Sequence, residues 1–256
     1  MSKRLPLALL LTTVTVSCIS ATFGENANKS VRPVSNEKIR VMVIDTGVAS
    51  LPETEKYLAK TNSAADLNDL NGHGTHIAGI ILYGREMNDP VCPEVEIHSC
   101  KFYGQSATHT TANCLQAAKN LKIDVVNFSA GGREKDQAEE KAAKAYPGWL
   151  IVAAGNYEMN EEGKVNKEAW DISKEPYYPA SLNLPNMRVI GNGASESSRN
   201  SSSNFGLFGM IWRKGEGIWS LDPKGGRRRM SGTSQATAIY THELLKYKCQ
   251  RLRSTK

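Results

Sequence analysis

The chain has 256 residues, 40% of them hydrophobic and 23% charged, with a formal net charge of +6. That length suits one α/β domain behind a short leader. The positive excess is too mild to imply a nucleic-acid partner. Met1 to about Gly24 is expected to be a secretory signal peptide, residues 1–24. Lys3 and Arg4 form its basic start, and Leu5 to Val16 form its apolar stretch. The stretch is too short and too rich in Thr to make a good membrane span. Cleavage fits loosely at Ile19-Ser20-Ala21 or at Thr22-Phe23-Gly24. Ser17-Cys18 offers an alternative, a lipoprotein anchored through Cys18. Residues 25–256 are then one secreted or periplasmic domain, with no membrane contact unless Cys18 is lipidated.

Along that domain, Arg40-Val41-Met42-Val43-Ile44 reads as a short buried parallel strand. Asp45 closes it, at the strand end where open α/β sheets place their sites. Further strands are expected near 95–102, 123–129, 149–154 and 187–191. Helices are expected near 73–84, 110–121, 134–146 and 233–250. The alternation predicts an α/β fold, a doubly wound, mostly parallel sheet with helices on both faces. Ala138, Ala142, Ala143 and Ala145 among Lys and Glu suit a surface helix. Tyr157 to Glu175 is charged and weakly apolar, and reads as a surface insertion. Ser195 to Asn204 reads as polar and exposed, and Arg227-Arg228-Arg229 as a solvated turn.

Four cysteines follow the leader: Cys92, Cys100, Cys114 and Cys249. An even count behind a secretory leader permits two disulfides in three pairings. Cys92 is expected to bridge to Cys100 or to Cys114. No CxxC and no accompanying His pair suggests zinc. Asp66 and Asp69 read as solvated carboxylates of a polar loop, so no metal is expected.

Three separated segments carry chemistry. Val41-Met42-Val43-Ile44-Asp45-Thr46-Gly47 ends a strand on an acid. Asn71-Gly72-His73-Gly74-Thr75-His76-Ile77-Ala78-Gly79 opens a helix on an imidazole. Met230-Ser231-Gly232-Thr233-Ser234-Gln235-Ala236 opens another on a hydroxyl. A serine hydroxyl is a weak nucleophile until an adjacent base takes its proton. Imidazole titrates near the operating pH and suits that role. A carboxylate beyond it fixes the tautomer and stabilises the imidazolium. Small residues around His73 and Ser234 let backbone approach a substrate closely.

The order Asp, His, Ser and these motifs resemble the subtilisin-like serine proteases, from about Lys38 to about Glu243. The resemblance implies a serine endopeptidase with Asp45, His73 and Ser234 as triad, acting on peptide or protein substrates without an organic cofactor. His73 Nε2 is then expected within hydrogen-bond reach of Ser234 Oγ. Trp149-Leu150-Ile151-Val152-Ala153-Ala154-Gly155-Asn156 matches the family strand whose Asn donates to the oxyanion, so Asn156 takes that place beside the Ser234 N–H. Asp124 to Gly132 matches the strand bordering the P1 side chain, which makes Ser129, Ala130 and Gly131 substrate-binding. Lys101-Phe102-Tyr103-Gly104-Gln105 forms the opposite wall. Tyr178-Pro179-Ala180 resembles a segment whose proline is cis. Tyr177 matches the floor of the P1 pocket, often Gly in the family. Pointing inward, its ring favours small P1 residues such as Ala or Ser; turned outward, it leaves an ordinary apolar pocket.

Three departures from the family stand out. About twenty residues separate the leader from Asp45, too few for a packed propeptide domain. A separate folding or inhibitory partner is therefore an expectation. The chain is short at the C-terminus, ending soon after the Ser234 helix, and Ala238 replaces the proline that commonly follows the nucleophile. These departures keep a second reading open, a catalytically weak or inactive peptide-binding module on a protease fold.

Overall fold

The computed structural model describes residues 38–104, 107–159, 162 and 164–254. The leader and Cys18 lie outside the described residues. Strand β1 (Ile39–Asp45) is followed by helix α1 (His73–Tyr83), β2 (Val95–Lys101), α2 (Thr111–Asn120), β3 (Val125–Phe128), α3 (Gln137–Ala145) and β4 (Trp149–Ala153). After the short strands β5 (Glu158–Met159) and β6 (Val165–Lys167) come β7 (Met187–Asn192), β8 (Ile211–Arg213), β9 (Ile218–Leu221) and β10 (Arg227–Met230). Helix α4 (Thr233–Ser254) is the last described element. Six strands form one sheet in the order β2-β1-β3-β4-β7-β8, and every neighbouring pair is parallel. This is the doubly wound α/β fold predicted from the alternation.

Alternation along β1 builds both cores. Ile39, Val41 and Val43 face α1 and α4, whereas Met42 and Ile44 face the side of α2 and α3. Strands buried on both faces read as continuous apolar runs, as parallel sheets require. The chain leaves β1 for β2 on one side and later returns to β3 on the other. Asp45 therefore lies at a topological switch point, on the carboxyl side of the sheet.

Several expectations need correction. Cys92 pairs with Cys249, and Cys100 with Cys114. Cys92 and Cys249 belong to the core under α1 and α4, while Cys100 and Cys114 belong to the opposite core. The sheet itself therefore separates Cys92 from both expected partners. The three arginines are not a turn: β10 pairs antiparallel with β9, Arg229 opposite Trp219. Arg228 is tied down, donating to the Asn71 carbonyl at 3.0 Å. The insertion is not wholly superficial, because Trp170 and Ile172 are buried in the core on the α2–α3 side. Ser203 and Asn204 are also buried, and Asn204 Nδ2 donates to the Ala154 carbonyl at 3.1 Å. The Tyr178–Pro179 bond is cis.

Candidate active site

Asp45 is 2% exposed at the end of β1. Its Oδ1 accepts from Thr46 N at 2.8 Å, and both of its oxygens face His73 Nδ1, at 2.8 and 3.0 Å. His73 is the first residue of α1. Such proximity of helix and strand turn requires a glycine next in line. A Cβ on Gly74 would stand 2.0 Å from the Gly47 carbonyl oxygen and 3.1 Å from Asp45 Cβ. Burial works against the imidazolium of His73. The charge and hydrogen bond of Asp45 outweigh it, Asp69 adds to them, and Arg228 subtracts, so His73 titrates above its ordinary value.

Asp69 was expected to be solvated, and it is not. It is 5% exposed and accepts four hydrogen bonds. Oδ1 takes Thr46 Oγ1 at 2.9 Å and Gly72 N at 2.7 Å. Oδ2 takes Thr75 N at 2.8 Å and Thr75 Oγ1 at 2.6 Å. Thr46 Oγ1 in turn accepts Gly74 N at 2.9 Å. Asp69 thus satisfies the bare amides at the α1 N-terminus and joins them to the turn after Asp45. Asp66 is likewise buried, accepting Lys101 N at 3.0 Å and Ser63 Oγ at 2.5 Å. Sequence reasoning missed both. For Asp69 the available signal was Asp-x-x-Gly running straight into a helix, an acid placed near a helix start; Asp66 carries no such signal.

Ser234 is the second residue of α4 and is 9% exposed. Its Oγ donates to the Ser129 carbonyl at 2.9 Å, and Ser129 Oγ returns a bond to the Ser234 carbonyl at 3.3 Å. Among the described residues no hydrogen bond joins Ser234 to His73. The buried Ser129 carbonyl just past the end of β3 competes for the hydroxyl, and a serine Oγ changes partner by one rotamer step. Asn156 lies three residues past Ala153, the last residue of β4. Its Oδ1 accepts Thr233 N at 3.0 Å. That bond assigns the carboxamide's orientation and leaves Nδ2 as its donor beside the start of α4.

Ser129, Ala130 and Gly131 leave the end of β3, and Gly132 bridges antiparallel to Tyr178. The Tyr177 ring is turned inward. A Cβ on Gly131 would meet Tyr177 Cε1 at 2.6 Å, and one on Gly155 would meet the same atom at 2.7 Å. The ring is therefore wedged between the two glycines, with its edge against Trp170 at a centroid distance of 6.0 Å. Burial, with Glu158 adding to it, pushes the phenol up to about 12. Among the described residues there is no group of three or more His, Cys, Asp or Glu that could hold a metal ion.

Comparison with known proteins gives a consistent picture. The sequence pattern of the subtilase family (Peptidase_S8) matches residues 36–248. Subtilisin-like protease 1 of Arthroderma gypseum is 31% identical over 218 residues, covering 79% of this chain. This chain spans only 42% of that relative's length. Subtilisin DY of Bacillus licheniformis is 28% identical over 210 residues, covering 78% of this chain and 72% of its own. Among solved structures, a cold-adapted subtilisin-like serine proteinase superposes with a TM-score of 0.66 at 27% identity, covering 88% of this chain and 78% of its own. The protease domain of PatA superposes with a TM-score of 0.67 at 24% identity, covering 87% and 84%, and supports the fold.

Proposed function

The chain belongs to the subtilase family, and on that footing we propose that it is a serine endopeptidase forming its acyl-enzyme on Ser234. The observation that carries this reading is the grip of buried Asp45 on His73 Nδ1, at 2.8 and 3.0 Å. That contact keeps the proton on Nδ1 and leaves Nε2 free to act as base. Ser234 Oγ turns from the Ser129 carbonyl, gives its proton to Nε2 and bonds to the substrate carbonyl carbon. The carbonyl oxygen becomes an oxyanion facing the Ser234 N–H and Asn156 Nδ2. His73 then returns the proton to the leaving amine as the C–N bond breaks. Water, deprotonated by His73, releases the acyl group and restores Ser234.

The Tyr177 ring between Gly131 and Gly155 supports a finer reading of specificity. Ser129, Ala130 and Gly131 offer backbone to an extended peptide, as in strand addition. The ring occupies the space a large P1 side chain would need, so the enzyme prefers Ala or Ser over Phe or Leu at P1. Two disulfides support work in an oxidising compartment, secreted or periplasmic. A lipid anchor at Cys18 would change the address and not the chemistry. A separate folding or inhibitory partner remains part of the proposal.

The test is incubation with a fluorophosphonate probe. Covalent labelling of the wild type, lost in Ser234→Ala, is the expected outcome. One observation favours a second reading: the Ser234 hydroxyl is held by Ser129 and not by His73. A non-catalytic peptide-binding module would resist the probe while still binding peptide.

A further inference from the structure

A cavity of about 300 Å³ opens beside Ala130 and Gly131, the segment to which the substrate strand is assigned. Its walls are Phe102, Tyr103, Phe128 and Tyr178, and two carboxylates, Glu134 and Glu139, also line it. Aromatic faces carry negative charge and attract cations, and carboxylates complete such a cage. An apolar side chain would need the aromatic walls and would leave the two acids without a counter-charge.

The neighbouring cations are already matched elsewhere. Lys135 pairs with Glu140 at 2.9 Å, and Arg133 reaches Glu175 and Glu158. Among the described residues neither Glu134 nor Glu139 carries an ion pair. Lys135 Nζ also lies 6.0 Å from the centroid of the Tyr178 ring. Glu139 is half-buried where α3 packs on α2. Burial pushes its carboxyl up, Asp136 adds to that, and a hydrogen bond from Thr111 only partly offsets them. A desolvated carboxylate of this kind is relieved by an incoming positive charge.

We propose that this cavity binds a cationic side chain, Lys or Arg, of a substrate residue upstream of the cleaved bond. The inference rests on the endopeptidase reading for its substrate, but its test does not require turnover. Peptides carrying Lys, norleucine or Glu at each position before the cleaved bond are titrated into full-length Ser234→Ala protein by calorimetry. Wild type is probed with fluorophosphonate in parallel. At one position Lys should bind about tenfold tighter than isosteric norleucine, and Glu weaker than both. Glu139→Gln, made in the same background, should remove most of the Lys preference, and Glu134→Gln, at an exposed residue, part of it. Glu140→Gln should leave it intact. Equal binding of Lys and norleucine at every position, an unchanged preference in Glu139→Gln, an equal loss in Glu140→Gln, or no peptide binding at all overturns the inference. Loss of probe labelling with the Lys preference retained overturns the catalytic reading and leaves the cavity assignment standing.

Discussion

Around His73, the N–H groups of Gly72, His73, Gly74 and Thr75 all donate to side-chain oxygens of Asp69, Asn71 and Thr46. Around Ser234, the N–H of Thr233 has Asn156, and the hydroxyl rests on the Ser129 carbonyl. The first region is a backbone frame fixed mainly by the buried Asp69 and Thr46 side chains, with several bonds sharing the hold. The second has its reactive atom on a rotor. On the proposed reading, the difference teaches that the base is oriented before substrate arrives, and that the nucleophile is set by one torsional step. Preorganised dipoles cost no rearrangement at the moment of reaction, so the burden of assembly falls on Ser234 alone.

The sharpest way to break this comparison is Asp45→Asn. It preserves shape but permits the wrong imidazole tautomer, and kcat should fall about 10⁴-fold. A loss below tenfold in steady-state peptide hydrolysis would mean that the His73 frame does not depend on Asp45. On the Ser234 side, Asn156→Ala should lower kcat roughly 10²–10³-fold with little change in KM. A rise in KM with kcat unchanged would reassign Asn156 to ground-state binding. Tyr177→Gly should raise kcat/KM for Phe over Ala at P1 by about ten- to a hundredfold, since overfilling a packed site costs about 1–3 kcal/mol. Matched peptides differing only at P1 provide the measurement. If wild type already cleaves after Phe as fast as after Ala, the ring does not limit the pocket.

The smallest expected effect sharpens the comparison most. His73 must lose its proton to act as base, so kcat/KM rises with pH through the His73 pKa. Burial opposes the imidazolium, but Asp45 and then Asp69 raise that pKa above 6.5. Asp69→Asn removes one of the raising charges, so the acid limb should move to lower pH. The same change deprives four donors of a charged acceptor and should cost about 1–3 kcal/mol in denaturant unfolding. A destabilised variant with an unmoved acid limb would make Asp69 purely structural.

Much of the architecture was legible because buried parallel strands announce themselves as apolar runs. The Val41–Ile44 and Leu150–Val152 stretches are examples. Short mixed strands were not. Ile211–Arg213, Ile218–Leu221 and Arg227–Met230 are three or four residues long, and in Arg227–Met230 the exposed positions alternate with partly buried ones. Asp69 accepts four buried bonds, and the sole trace of this in the sequence is an acid three residues ahead of the glycine that starts α1. Disulfide pairing was illegible because it depends on which face of the sheet each thiol occupies. Cys92 and Cys249 are 157 residues apart and meet only in the finished fold. The inward turn of Tyr177 could be posed but not decided, since the slot the ring fills lies between Gly131 and Gly155, which are distant in sequence.

If the chain is the endopeptidase proposed, it is surrounded in solution by copies of itself, and its lifetime depends on how rarely it presents a cleavable segment. Helix α4 carries Ser234 near its first turn, while Cys249 near its far end is bonded to Cys92 before β2. A helix pinned at both ends cannot peel from the sheet turn by turn. Exposure of its backbone must then await opening of the whole core, an event governed by the global stability and not by fraying. Self-digestion of this chain should therefore track its unfolding in oxidising buffer and accelerate sharply once a reductant frees Cys249, even where the resting fold is unchanged.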